Sequence, residues 1–496
     1  MLFNSFEFIF LFLPIAVIGF FGVSRVRHEL GTAWLVLASL FFYGWWDSRY
    51  VPLLLGSILF NYLVGQRLER LAFGHEIERG GHVTADMPHH GARKAWLAFG
   101  IVLNVALLGY FKYTDFFLGT WNALAGAMVF DLPHIVLPLG ISFFTFTQTA
   151  YLVDAYRGQA RTPSLVAYGE FVTIFPHLIA GPIINHKKMM PQFVAEETFH
   201  VNWANLSAGL TLFVLGLFKK VCLADTISPW VNAAFAQVDG LTCLAAWAAV
   251  IGYTLQLYFD FSGYSEMALG LGLMLNLRLP QNFDSPYQAR SIIDFWRRWH
   301  ITLGLWVRDY LYIPMGGNRF GKLLQMRNLF ISMLIIGLWH GAGWTYVLWG
   351  AWHGVMLMVN HAWRGLGQHL RLQNAQRSGS QTTGSSRFLQ LPNPVCWLFT
   401  MAGVVIGWVF FRAADFHTAG VVFVAMADLS SLALDVDAGQ LAFLAACAVA
   451  ALTMPNPVRL MEKFRPSLSW LLLTIALGLL ALSQFSHVTD FLYFQF

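Results

Sequence analysis

His340 lies in the run Ile331 to Gly350, ISMLIIGLWHGAGWTYVLWG, where an ionisable imidazole interrupts a stretch that otherwise reads as membrane-embedded. Placing a titratable group at membrane depth costs roughly several kcal/mol or forces its neutral form, so such residues usually face a cavity, a partner or a substrate path. The alternative is a histidine hydrogen-bonded inside a helix bundle. Gly337, Gly341 and Gly343 flank His340 and leave room for backbone or substrate to approach. His353, in WGAWHG, is a second candidate on the next helix. With Gly341 and Gly343 between them, no single-helix geometry relates the two, and His353 is given a supporting role.

A third histidine accompanies a basic, aromatic stretch. Ile292, Trp296, Trp299, Leu303, Trp306 and Tyr310 recur at alternating steps of four and three, predicting one helix that starts near Ser291. Asp294, Arg298, Thr302 and Asp309 fall on its other side, so the helix is expected to lie partly in the membrane interface. His300 sits at the edge of the stripe beside Gly304, and taken alone reads as an interfacial or packing histidine. From Arg278 to Arg327 there are eight basic residues against three acids, a net +5 that equals the charge of the whole chain. Such charge suits a phosphorylated anion, for which arginine forks are well shaped. On charge alone, a cytoplasmic loop or contact with anionic lipid is the favoured reading.

These residues must be positioned by membrane helices. Of 496 residues 57% are hydrophobic and only 11% charged, which excludes an ordinary water-soluble domain. Apolar runs recur along the chain, from Phe6 to Val23 through Ile135 to Leu152 and Leu206 to Phe218 to the last at Leu471 to Leu482. About a dozen helices are expected, some short, tilted or re-entrant. Neither an internal repeat nor a matched pair of interrupted helices is visible, so one integral-membrane domain over 1–496 is the simplest reading. Cys222, Cys243, Cys396 and Cys447 are scattered without CxxC spacing and indicate neither disulfides nor a zinc site. GxSxG, HExxH and glycine-rich phosphate loops are absent, leaving open a histidine base with an external acyl or phosphoryl donor.

Charge also orients the chain. No basic n-region precedes the first apolar run, which should stay as an anchor. Arg25, Arg27 and His28 follow it directly, so the N-terminus is expected outside. Residues 66–95 and 364–390, the second containing SGSQTTGSSR, read as cytoplasmic loops. Arg459, Lys463 and Arg465 precede the last span, which puts residues 485–496, FSHVTDFLYFQF, on the outer side.

The motifs resemble those of the membrane-bound O-acyltransferases, in the branch of alginate O-acetylases and teichoic-acid D-alanyl transfer proteins. The resemblance rests on Leu137 to Gly158 (LPLGISFFTFTQTAYLVDAYRG), FPHLIAGPI from Phe175 and QLYFDFSGYSEMALGLGLML from Gln256. It continues through NFDSPY from Asn282, FWRRWHITL from Phe295, RDYLYIPMGGNR from Arg308 and LWHGAGWTYVLWGAWHG from Leu338.

The resemblance implies an all-α polytopic bundle around a transmembrane tunnel, in a bacterial inner membrane. It matches His340 to the family's active-site histidine and His300 to the second histidine of this branch. Asp309 and Asn318 join His353 in support, while Arg297, Arg298 and Arg308 are candidates for the donor's phosphates. The implied activity is transfer of acetyl from cytoplasmic acetyl-CoA to a periplasmic or secreted polysaccharide, alginate first and cellulose next. No permanently bound cofactor, metal or nucleic acid is expected. A periplasmic SGNH-type acetyltransferase and other polysaccharide acetylation or secretion proteins are the expected partners. FLYFQF resembles an aromatic C-terminal motif whose tyrosine, here Tyr493, is a candidate acyl acceptor; without the family it reads as an aromatic belt residue. A transporter or export scaffold, and an acyltransferase acting on peptidoglycan or a lipid, are the alternatives.

Overall fold

Apolar helices that cannot expose backbone groups to lipid are the only economical answer to this composition. The computed structural model describes residues 1–73, 90–162, 164–378, 391–433, 436–487, 489 and 491–492, with backbone alone for 73, 370–378 and 487. The described residues form helices and no strand. By length and composition, six helical stretches can cross a membrane: Glu7–Ser24, Ser48–Ala72, His90–Ala125, Trp203–Ala236, Lys322–His340 and Asn393–Arg412. Shorter apolar helices follow at Phe416–Ala427, Ala438–Thr453 and Leu468–Ser483. All four cysteines are free thiols.

Contacts divide the chain into two units. One comprises Met1–Cys222, Phe261–Gln281 and Pro457–Gln495; the other comprises Leu223–Asp260 and Asn282–Asn456.

In the first unit, helix Trp203–Phe218 meets the last part of helix Cys243–Met274 through glycines. A Cβ on Gly216 would lie 2.5 Å from the Gly263 carbonyl oxygen, and one on Gly209 would lie 2.6 Å from that of Gly270. Small residues permit this approach, which yields dispersion contacts where lipid offers no hydrophobic driving force. Between helices Val51–Phe73 and His90–Ala125, Asn61 and Asn104 exchange amide hydrogen bonds of 3.1 and 2.7 Å, satisfying polar groups buried in apolar surroundings.

Several boundaries depart from the sequence reading. The loop expected over 66–95 is shorter, because helices occupy residues up to Phe73 and from His90; the intervening residues lie outside the description. Arg93 is buried and donates to the Tyr156 carbonyl, so it belongs to the packed unit. Likewise, helix Trp344–Ser378 carries the first half of the loop expected over 364–390. The apolar run from Ile135 becomes helical only at Ile141, after Gly140 at φ 73°. There a Cβ would meet the Leu178 carbonyl at 2.8 Å, so both the backbone conformation and the space require glycine. In the tail, Phe485–His487 form a 3-10 turn, and Phe491 and Leu492 are buried.

Gly216→Val is expected to destabilise the protein by about 1–3 kcal/mol through overpacking. Thermal unfolding in detergent reads this as a fall of several degrees. Gly22→Ala, where a Cβ meets nothing within 4 Å, is the control and should not lower the midpoint. Equal midpoints for both variants would contradict the glycine contact.

Candidate active site

In the second unit, the helix ending at His340 (Lys322–His340) and the following helix (Trp344–Ser378) pack as a hairpin. Glycine sets their separation. A Cβ on Gly337 would lie 2.3 Å from the Tyr346 carbonyl oxygen, and one on Gly350 would lie 2.4 Å from that of Met333. Gly341 faces the Tyr346 ring, at 2.2 Å from a hypothetical Cβ. The room around His340 is therefore used by the protein's own backbone and by Tyr346.

The hairpin places His340 and His353 against the two ends of one aromatic cluster. The Trp349 ring lies 5.1 Å from His340 and 4.9 Å from His353 between centroids. Phe411, from helix Asn393–Arg412, packs edge-on to His340 at 5.2 Å, and Trp339 at 4.9 Å. Trp296 approaches His353 at 5.2 Å, and a Cβ on Gly407 would lie 2.7 Å from His353 Nε2. His300, His340 and His353 are all buried. The His300 and His340 rings stand 6.3 Å apart, so the structure brings together the two histidines chosen from sequence.

His300 is not on the single helix expected from Ser291 to Tyr310. Ser291 does cap the start, accepting from the Asp294 amide at 3.1 Å, but helix Ile292–Arg298 stops there. Trp299 is extended, and His300 adopts the left-handed conformation, φ 45° and ψ 53°. Helix Ile301–Val307 and a π-helical turn, Arg308–Tyr312, then follow. Left-handed backbone costs a non-glycine residue about 1–2 kcal/mol. The segment Asn282 to Asp284 supplies the compensation. The Asp284 amide donates to the Arg298 carbonyl, and the Ile301 amide to the Asn282 carbonyl, both at 2.9 Å. Asn282, visible beforehand only as the first letter of NFDSPY, is the residue that periodicity missed.

Its side chain also selects the histidine tautomer. Asn282 Oδ1 accepts from the Thr302 amide at 3.3 Å and from Thr302 Oγ1 at 2.9 Å, and lies 3.1 Å from His300 Nδ1. Because the Thr302 amide can only donate, the atom it meets is the oxygen, and His300 Nδ1 must carry the hydrogen. Nε2 then holds the ring's basic lone pair. His300 lies outside the candidate spans, and burial pushes its pKa down to about 3.

The remaining candidates scatter. Arg298 donates to Asp294 at 3.0 Å and to the Asp284 carbonyl at 3.3 Å. Arg308 forms a two-point pair with Asp309 at 2.7 and 3.0 Å. Arg297 is exposed and lies near His361 and Arg364, a basic grouping that the loop reading of Arg364 had separated. Asn318 is exposed, whereas buried Asn328 holds the MGGN turn by donating to the Met315 and Gly317 carbonyls at 3.2 and 3.0 Å. Tyr493 lies outside the described residues. No cluster of three or more potential metal ligands occurs among the described residues.

The membrane-bound O-acyltransferase family model matches residues 32–403, which contain all three histidines. The chain belongs to the membrane-bound O-acyltransferase family. This acyltransferase is 41% identical over 461 residues to a peptidoglycan O-acetyltransferase of Helicobacter pylori, covering 88% of this chain and 81% of the relative. It is 42% identical over 430 residues to a probable alginate O-acetylase of Pseudomonas putida, covering 86% and 80%. A teichoic acid D-alanyltransferase of Streptococcus thermophilus matches at 28% over 236 residues, covering 45% and 57%.

Two outcomes follow for the acyltransferase. Asn282→Ala removes the acceptor that orients His300, and should lower acyl transfer about 10- to 100-fold while the protein still purifies as a folded species. An unchanged rate would contradict the tautomer assignment. The unfolded imidazole takes a proton near its ordinary value of 6.5 while the folded one does not. The unfolded state thus binds more protons, and this stability is fully present above 6.5 and lost as pH falls towards about 3. Thermal unfolding at pH 7.5, 5.5 and 4.5 should show the decline, with a shallower slope in His300→Gln.

Proposed function

We propose that this acyltransferase takes acetyl from cytoplasmic acetyl-CoA and passes it across a bacterial inner membrane for O-acetylation of a periplasmic or secreted polysaccharide. The observation that carries the reading is the approach of His300 to His340, 6.3 Å between rings, within a buried aromatic cluster. His340 takes the proton from the attacking hydroxyl, whose oxygen bonds to the thioester carbonyl carbon. The carbon–sulfur bond breaks, an oxygen ester forms, and the departing coenzyme A thiolate recovers the proton from His340. Such general base assistance contributes about 10²- to 10⁴-fold. His300 orients the reacting groups through Nε2. Arg297 and the neighbouring Arg364 attract the donor's phosphates, and Arg298 and Arg308 do so in exchange for their carboxylate partners Asp294 and Asp309.

In this reading Tyr493 is the first acceptor, and its acyl ester is handed to a periplasmic SGNH-type acetyltransferase. Phe3 and Phe491 both stack on Tyr264, at 4.7 and 4.3 Å, which supports chain termini on one side of the membrane. Alginate is the leading polymer and cellulose the next. Peptidoglycan is the second reading, favoured by the Helicobacter pylori relative at nearly equal identity. Membership of an acyltransferase family displaces the transporter and scaffold alternatives.

His340→Ala should lower polymer O-acetylation by about 100-fold or more without removing the protein from the membrane. Normal acetylation in that variant would overturn the proposal. Acetyl analysis of isolated alginate, cellulose and peptidoglycan from cells lacking the protein identifies the acceptor as the polymer that loses its esters.

A further inference from the structure

The last described residues of the C-terminal tail lie in a built seat. Phe491 is 1% exposed, stacks on Tyr264 with centroids 4.3 Å apart at 20°, and tilts against Phe261 at 5.8 Å. Tyr264 also stacks with Phe3 at 4.7 Å, and Phe3 packs on Phe42 at 5.6 Å, so the ring that receives the tail is itself fixed in the core. Two residues upstream of Phe491, the Thr489 carbonyl and hydroxyl accept from Lys220 Nζ at 3.2 and 3.4 Å. Lys220 is 1% exposed. An ammonium in such surroundings needs acceptors, and the tail backbone supplies one. Its neighbour Lys219 pairs with Glu266 at 2.6 Å, tying the lysine turn to the segment that carries Phe261 and Tyr264. The seat thus combines a polar clamp on Thr489 with an aromatic slot for Phe491, two unlike contacts that fix register as well as position.

We propose that Lys220, Phe261 and Tyr264 form an internal receptor for the chain's own C-terminal tail and act as positioning residues for Tyr493. The second half rests on the reading of Tyr493 as acyl relay; the seat itself does not. Consecutive Cα atoms are about 3.8 Å apart, so whatever holds Leu492 limits the reach of the residue that follows. A short tether raises the effective concentration of an acceptor, as it does for any linked ligand.

The test uses the full chain with Cys222, Cys243, Cys396 and Cys447 replaced by Ala and Leu492→Cys as the probe. Labelling by a hydrophilic maleimide in detergent should be slow, and at least tenfold faster when Lys220→Met or Phe491→Ala is added. Phe491→Ala changes the tail alone, so it reports even where Lys220→Met fails to fold. Equal labelling rates overturn the seat. In the parent chain, the same two substitutions should lower kcat for polymer acetylation at least fivefold with KM for acetyl-CoA unchanged. Faster labelling with unchanged kcat keeps the seat and overturns its link to Tyr493.

Discussion

The close approach of the two helices around His340 rests on Gly337 and Gly350, whose missing side chains leave space for the Tyr346 and Met333 carbonyls. The contacts that His340 makes with the following helix depend on that spacing. Only at this separation does Trp349 lie within about van der Waals reach of both His340 and His353, with Phe411 and Trp408 closing the same cluster. The result is an imidazole packed against the rings of Trp339, Trp349 and Phe411. In such low-dielectric surroundings a developing charge is felt more strongly than in water.

The second constraint is the break at His300. A continuous helix would carry that ring along the aromatic stripe. The left-handed residue turns the chain instead, and Asn282 satisfies the amides and the ring nitrogen that the turn exposes. One asparagine therefore stabilises an unfavourable backbone conformation and selects which histidine nitrogen is basic. Coupling backbone strain to tautomer choice in this way is what a site needs when reacting groups must be held before substrate arrives.

His340 was legible as a candidate because a histidine in an apolar run stands out whatever surrounds it, whereas His300 and Tyr493 became candidates only through the family resemblance. Apolar length likewise marked the membrane helices, since lipid leaves the backbone few choices. What periodicity missed was set by tertiary contact. The stripe from Ile292 to Tyr310 fits one helix perfectly well on spacing, and only the distant Asn282 to Asp284 segment explains why the helix stops at Arg298. Arg364 was assigned to a loop by polarity although it continues the His353 helix. The glycines around His340 were read as room for backbone or substrate, and the Tyr346 contact assigns that room to the protein itself.

The central claim, that His340 with His300 beside it is where the acyl group reacts, is tested most directly by an experimental structure of the protein with a non-hydrolysable acetyl-CoA analogue. The account predicts the acyl carbonyl carbon about 3–5 Å from the His340 ring, near enough for attack by a hydroxyl hydrogen-bonded to that ring. An acyl group held more than about 10 Å from both histidines, beyond any single hydrogen bond or bridging water, would contradict it.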